Sequence, residues 1–556
     1  MKVIFLIFFG MLTISTPVTQ GFIAFQPLLR FPGGTLMGET GKSESGRDFH
    51  KFWCIPYGKH KRFEPSEPAD PWTGVRDATF CSVRCPQIVL QDLGDMFVSM
   101  PEQEDCLILN VFLPAKIQKK RLLPVMVWIH GGYFTQGSSM EYSGEIFLNE
   151  DVVLVTINYR LAILGFLSSG DGILEGNLGL KDQVLALEWV KNNIQYFGGN
   201  PNLITIFGQS AGGASISLLL LSPLTKGLFN HAISHSGSSL IPCAFQSKPA
   251  ENFKALMKEL NCSAPTTEES VACLKATDMD EMNQKATQMK WFVEYLYPMF
   301  PSVETATPRK SKKFLHDHPR ELLKRGKFHH VPHMIGVVED EGALQAGMAM
   351  GDSELLEDLN KRWIPLAGVA LGIDNRNITE DGRNEGLRKL REFYFSDGEI
   401  GPKDIQALCD MFSDGWFGYS LDFTVRSHAK YAPVYPYLFT KQGAMPFSSA
   451  LVGKTFNRSV VSHGEDLMYI FFKGLANSQA DLVFSKRFLK LWVSFATHGK
   501  PTDTWGSEKT WPMAESNTWD YKYYIIDDDT KAVVNPLKKR VQFWNNLWEN
   551  EFKEHV

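Results

Sequence analysis

The sequence predicts an α/β domain built on a mostly parallel sheet and carrying a large helical insertion, and three observations support this. Strand-like runs alternate with helical periodicity between residues 107 and 221. A polar, mostly helical stretch from 251 to about 330, with breaks at Pro298 and Pro301, then interrupts that rhythm. Strand signals return at 334–338 and 434–439, so the sheet resumes after the interruption. One domain over 22–556 with a cap inserted at about 251–330 accounts for all three.

In chain order, strands are expected around 35–38, 51–56, 107–113, 125–129 and 152–158, each bounded by proline or glycine turns. Apolar residues at helical spacing over 180–193 lead into a strand at 203–207, and the apolar run 214–221 continues as a helix. Beyond the cap, 486–497 reads as an amphipathic helix, 521–526 as a last strand and 541–548 as a closing helix. There is no internal repeat and no low-complexity segment.

A chain of 556 residues with 44% hydrophobic content has ample material for a core. Its 57 basic and 62 acidic residues give a formal charge of -5, which predicts no nucleic-acid footprint. The basic clusters Lys116, Lys119, Lys120, Arg121 and Arg309, Lys310, Lys312, Lys313 lie beside Pro114 and Pro308 and read as solvated loops.

Lys2 followed by seven apolar residues, then small and polar residues to Gly21, has the layout of a secretory signal over 1–21. Its apolar core is shorter than the roughly 20 residues of a spanning helix, and no second such stretch occurs, so a secreted protein without a membrane anchor is expected. Export makes disulfides plausible for the eight cysteines. Spacing marks two local pairs, Cys85 with Cys106 and Cys262 with Cys273, and leaves Cys54, Cys81, Cys243 and Cys409 without obvious mates. Cys81 and Cys85 lack a second pair of metal ligands, and His329, His330 and His333 read as a solvated turn, so no metal is expected. Sequons stand at Asn261, Asn377 and Asn457.

The chemistry centres on Gly208-Gln209-Ser210-Ala211-Gly212, which follows the 203–207 strand. A Gly-x-Ser-x-Gly pattern arises by chance roughly 0.2 times in such a chain at typical composition, so its setting carries the argument. Small flanks let strand and helix crowd together while the serine hydroxyl is held out, which makes Ser210 the candidate nucleophile. A hydroxyl needs a base, and the base needs an acid to fix its tautomer. The strand at 334–338 opens into Glu339, Asp340, Glu341 and Gly342. Glu341, beside a glycine that permits a sharp turn, is the preferred acid, with Glu339 and Asp340 as competitors. Among 14 histidines, His463 in Ser462-His463-Gly464-Glu465-Asp466 follows the other two in a suitable loop. Oxyanion donors are expected in His130-Gly131-Gly132-Tyr133 and at the amide of Ala211.

With these parts in place the chain resembles the type-B carboxylesterase and cholinesterase-like family from about Gly34 to Trp548. The resemblance rests on Glu104-Asp105-Cys106-Leu107 with Asn110, His130-Gly131-Gly132, Asn158-Tyr159-Arg160-Leu161, Gly165-Phe166, Gly176-Asn177 and Asp182-Gln183. Gly198-Gly199-Asn200-Pro201, the serine turn, Ser236-Gly237, Trp492, Phe495-Ala496 and Gly499-x-Pro501 extend it. It implies an α/β-hydrolase fold and hydrolysis of a small-molecule ester through an acyl-enzyme without a cofactor. In that scheme Ser210 is nucleophile, His463 base then acid, Glu341 orienting carboxylate, and Gly132, Tyr133 and Ala211 amide donors. It also implies disulfides Cys85–Cys106 and Cys262–Cys273.

Departures narrow the subfamily. The loop between Cys85 and Cys106 has no tryptophan, which disfavours choline esters. Gln209 is similar to the residue found there in juvenile hormone esterases, pointing to a terpenoid ester. Tyr133 stands where the family usually has glycine or alanine; its amide can still donate, and its phenol would crowd the acyl side of the pocket or offer an extra hydrogen bond. Cys54 replaces a usual glycine. The alternative from another class is a silent cholinesterase-like binding or adhesion module, disfavoured because all three triad positions are filled.

Overall fold

Buried β-branched and aromatic strands, alternating with helices, assemble a central sheet that is parallel through its middle. The computed structural model describes residues 26–88, 100–117, 121–288, 290–291, 295–296, 299–306, 311–396, 398–443, 455–474, 478–501, 505 and 511–554. The signal-like segment 1–21, and Lys119, Lys120, Arg309 and Lys310 of the basic clusters, lie outside them.

In chain order the strands of the sheet are β1 (Glu39–Lys42), β2 (Asp48–Pro56), β3 (Ile108–Pro114), β4 (Leu123–Ile129), β5 (Val153–Ile157) and β6 (Gly199–Gln209). They continue as β7 (His231–His235), β8 (His333–Val338), β9 (Val434–Phe439), β10 (Lys522–Ile526) and β11 (Lys531–Val534). Spatial order is β11-β10-β9-β8-β7-β6-β4-β5-β3-β2-β1. Pairing is parallel from β5 through β10 and antiparallel toward both edges. Strands β3, β4, β5, β8 and β9 are buried along their whole length, as expected where helices cover both faces. The strand expected at 35–38 pairs instead in a small separate sheet of Leu28–Phe31, Gly34–Met37 and Val75–Asp77.

Helix α1 (Leu178–Asn193) precedes β6, and α2 (Ala211–Leu221) leaves it directly. Every residue of α2 is buried, so this helix, apolar but for Ser215 and Ser217, packs on all sides. Arg160 and Asp182, both fully buried, form a two-pronged ion pair at 2.7 Å that ties the loop after β5 to α1. Helices Pro249–Glu259, Thr267–Ala276, Met279–Gln288 and Pro319–Lys324 occupy the segment between β7 and β8.

The sequence reading assigned nothing between 343 and 428. There the chain is helical: Ala343–Gly351, Ser353–Lys361, Trp363–Ala370, Glu380–Phe395, Ile405–Ser413 and Tyr419–His428. The last two are joined without a break by a π-helical turn, Asp414–Gly418. Helix α3 (Gln479–His498) and α4 (Lys538–Asn550) follow.

Candidate active site

Ser210 sits where β6 ends and α2 begins, with φ 59° and ψ -123°, a conformation disfavoured for a side chain and held by its surroundings. Its amide donates to the His235 carbonyl (2.9 Å) and its carbonyl accepts from Ala214 N (2.8 Å). A Cβ on Gly208 would run into the backbone of Gly212, and one on Gly212 into the Ile129 carbonyl. The glycines of the motif therefore buy the close crossing of strand and helix. The first amide of α2, that of Ala211, has no intrahelical acceptor, and the helix dipole adds to its pull on an anion.

Beyond β4 the chain passes through Gly132, Tyr133 and Phe134, all with positive φ (103°, 58° and 61°). The turn is closed by Thr135 N (2.9 Å) and Gln136 N (3.0 Å) donating to the Gly132 carbonyl. His130 stacks on Tyr159, with centroids 4.5 Å apart, and Tyr159 Oη donates to the His130 carbonyl (2.9 Å). Burial pushes the His130 imidazole down to about 4, so it is neutral behind this loop.

The three adjacent acids after β8 take separate places. Glu341 is buried; its Oε1 accepts from Val338 N (2.9 Å) and its Oε2 accepts from His463 Nδ1 (2.6 Å). Asp340, also buried, accepts from Arg458 and from Val461 N (3.1 Å), while its own amide donates to the Val461 carbonyl (3.0 Å). It thus pins the segment that carries His463 to the end of β8. Glu339 is exposed.

Because the Glu341 carboxylate only accepts, Nδ1 of His463 carries the proton and Nε2 presents a lone pair. That lone pair faces Gln209, whose Nε2 is 3.0 Å away. The imidazole is therefore seated against the residue next to Ser210. Among the described residues no hydrogen bond joins Ser210 Oγ to His463 directly. Phe417, from the π-helical turn, stacks on the His463 ring at 4.7 Å. A second buried histidine supports the same corner: His235 Nδ1 meets Asp466 at 2.6 Å and its Nε2 accepts from Trp492 Nε1 at 2.8 Å.

The wall beside Tyr133 was not legible beforehand. Trp416 meets the Tyr133 ring edge-on at 5.8 Å, and Gln345 Nε2 donates to Tyr133 Oη at 3.4 Å. Asp414 anchors the turn that carries Trp416 and Phe417, accepting from Tyr394 Oη (2.6 Å) and pairing with Arg540 (3.1 Å). Burial raises its carboxyl to about 7, with Arg540 opposing.

The model of the family described as "Carboxylesterase family" matches residues 26–544. The chain belongs to the carboxylesterase family. It is 34% identical over 531 residues to venom carboxylesterase-6 of Apis mellifera, covering 94% of each chain. It is 35% identical over 511 residues to juvenile hormone esterase of Tribolium castaneum, covering 85% of this chain and 84% of that one. To pyrethroid hydrolase Ces2a of Mus musculus it is 34% identical over 523 residues, covering 91% and 88%. The protein is accordingly a serine hydrolase for carboxylic esters, and its sheet is that of an α/β-hydrolase.

This carboxylesterase has disulfides Cys85–Cys106 and Cys262–Cys273, as expected from spacing and resemblance. It has a third, Cys54–Cys81, which corrects the reading that these two lacked mates. Cys54 lies within a register shift of β2, between Phe52 and Ile55, that no local sequence pattern announces. Cys243 and Cys409 are free and buried. The sequon residues Asn261, Asn377 and Asn457 are exposed. His333 departs from the solvated turn assigned to it: it is the first residue of β8, buried, with Nε2 3.0 Å from Ser234 Oγ. Among the described residues no helix is long and apolar enough to cross a membrane.

Proposed function

We propose that this carboxylesterase is exported and cleaves apolar carboxylic esters through an acyl-enzyme, with Ser210 as nucleophile, His463 as base and Glu341 as orienting acid. The observation that carries this reading is the 2.6 Å bond from His463 Nδ1 to Glu341, which leaves the proton-accepting Nε2 turned toward the Gln209–Ser210 corner. In the reaction the Ser210 Oγ proton passes to His463 Nε2 as Oγ bonds the substrate carbonyl carbon. The oxygen that becomes negative is met by the amides of Gly132, Tyr133 and Ala211. Nε2–H then protonates the departing alkoxide. A water, deprotonated by the same nitrogen, releases the carboxylic acid and restores the hydroxyl.

The substrate is a juvenile-hormone-type terpenoid ester. Support comes from Gln209 before the nucleophile, from the likeness to a juvenile hormone esterase, and from the aromatic wall of Tyr133, Trp416 and Phe417. Support for export comes from the signal-like start, the disulfides, the exposed sequons and the likeness to a venom carboxylesterase.

The test pairs wild type with Ser210→Ala on a panel of aryl, terpenoid and choline esters. Expected outcomes are organophosphonate labelling of the wild type alone, loss of at least about 10⁴-fold in kcat in the variant, and terpenoid esters ahead of choline esters. Labelling that persists in Ser210→Ala would overturn the assignment of the nucleophile. Choline esters ranking first would overturn the substrate class.

A further inference from the structure

Gln209 is more than a spacer between the β6 strand and Ser210. Its side chain is 7% exposed, and its amide nitrogen lies 3.0 Å from the one atom of His463 that must take the serine proton. With Nδ1 committed to Glu341, a serine proton transferred to His463 would have to take the lone pair that the Gln209 amide faces. The amide holds it in this structure. We propose that Gln209 is a positioning residue for the base, its amide donating to Nε2 of the neutral imidazole and, after a half-turn, accepting from Nε2–H of the imidazolium. This rests on the reading of His463 as the base.

A primary amide suits such a role because a 180° turn exchanges a donor for an acceptor of nearly the same size. The surroundings leave room for the turn. Gln209 Oε1 lies 3.0 Å from where a Cβ of Gly131 would stand, and Gln209 Nε2 lies 3.6 Å from the corresponding point on Gly464. Glycines, with no side chain to lock the amide, thus flank both of its ends. The ring is meanwhile held from three directions, by Glu341 at Nδ1, by Gln209 at Nε2 and by Phe417 across its face. Displacing the amide exposes the lone pair to Ser210 at the moment of attack. Its return, oxygen first, steadies the protonated ring until the leaving group takes the proton.

Other charged and titratable groups lie on the elements that build this corner. Glu341, Asp340 with Arg458, and Glu339 come from the end of β8. Glu465 and Asp466 follow His463, with His235 on Asp466, and Tyr437 lies near Glu341 and Asp466. His130 stands behind the Gly132 loop. Cys409, and Asp410 and Asp414 with Arg540, stand under the turn that carries Phe417. Changing residue 209 alone leaves all of these residues in the chain, so the contrast between Gln209→Leu and Gln209→Glu is read at the amide's position.

The experiment measures kcat, KM and the pH profile of kcat/KM for wild type, Gln209→Leu and Gln209→Glu on p-nitrophenyl acetate, with active sites counted by an organophosphonate. Gln209→Leu, which can neither donate nor accept, is expected to lose about tenfold in kcat with KM changed by less than about twofold. Gln209→Glu keeps an acceptor and is expected to recover kcat to within about threefold, while its fixed charge favours the imidazolium and moves the acidic limb to higher pH by about one unit. Equal losses in both variants with an unmoved acidic limb would reveal a packing role and overturn the proposal. If Gln209→Leu yields no titratable sites, the limb of Gln209→Glu decides alone. A wild type that neither hydrolyses the ester nor takes the label would instead overturn the catalytic reading on which this rests.

Discussion

At the sheet rim, Ser210, Glu341 and His463 stand on loops fixed from several sides, whereas the helical stretch 343–428 reaches the same place from its π-helical turn and from Gln345 in its first helix. The rim is clamped by backbone. Ser210 N bonds across to β7, Asp340 ties the His463 segment to β8, and glycines bring α2 against β4 and β6. The helical side contributes faces rather than reacting atoms: Phe417 on the imidazole, Trp416 against Tyr133, Gln345 on the Tyr133 hydroxyl. Backbone bonds thus fix the candidate reacting groups, while the helical side supplies the aromatic faces beside them.

The largest expected effect breaks the rim. Glu341→Gln offers an amide to Nδ1 and admits the wrong imidazole tautomer, so kcat should fall by about 10³–10⁴-fold with little change in KM. Steady-state kinetics normalised to folded protein check this, and a loss below about tenfold would show that the rim is no more exacting than the helical wall.

A middling effect sharpens the other side. Tyr133→Gly removes a ring that leans on Trp416, and the ratio of kcat/KM for long over short acyl chains should rise about tenfold, with kcat on acetate esters little altered. Unchanged relative kcat/KM across acyl chain lengths would refute the steric role of Tyr133.

The smallest effect concerns stability away from both. Burial pushes His428 down to about 4; its Nε2–H donates to the Val331 carbonyl at 2.9 Å and its ring packs on Phe328. Since its folded value lies below the unfolded 6.5, the unfolded chain binds more protons between those limits. Its stabilising share is whole above about pH 6.5 and is lost as pH falls toward 4, by up to about 3 kcal/mol. His130 and His333 pull in the same direction. Urea unfolding should therefore weaken from pH 7 to pH 5, and His428→Asn should start about 1 kcal/mol lower at pH 7 yet decline less steeply.

What the sequence disclosed follows the same division. The signals that make Ser210, Glu341 and His463 candidates are local: a β-branched run before the glycine-flanked serine, another strand ahead of Glu341, and a loop of glycine and acids around His463. Period-2 and period-3.6 patterns likewise located most of the sheet, from Ile108–Pro114 to Lys522–Ile526. Trp416 and Phe417 were not legible. Their helix looks like any buried helix in sequence, and only the extra residue of a π turn aims them at the site. Choosing Glu341 over Asp340 required the fold as well, since both are buried acids and only the partner across the gap separates them. The role inferred for Gln209 is invisible to motif reading, because it depends on which side chain lies across from the amide.

The three disulfides join cysteines 27, 21 and 11 residues apart, so each closes a short loop within its own stretch of chain. The two remaining thiols, Cys243 and Cys409, are raised by burial, Cys243 to about 12, and so hold almost no thiolate with which to attack a neighbour's bond. Once folded, this cross-linking pattern has no internal nucleophile to scramble it. Thiol–disulfide exchange would have to wait for the core around those two sulfurs to open.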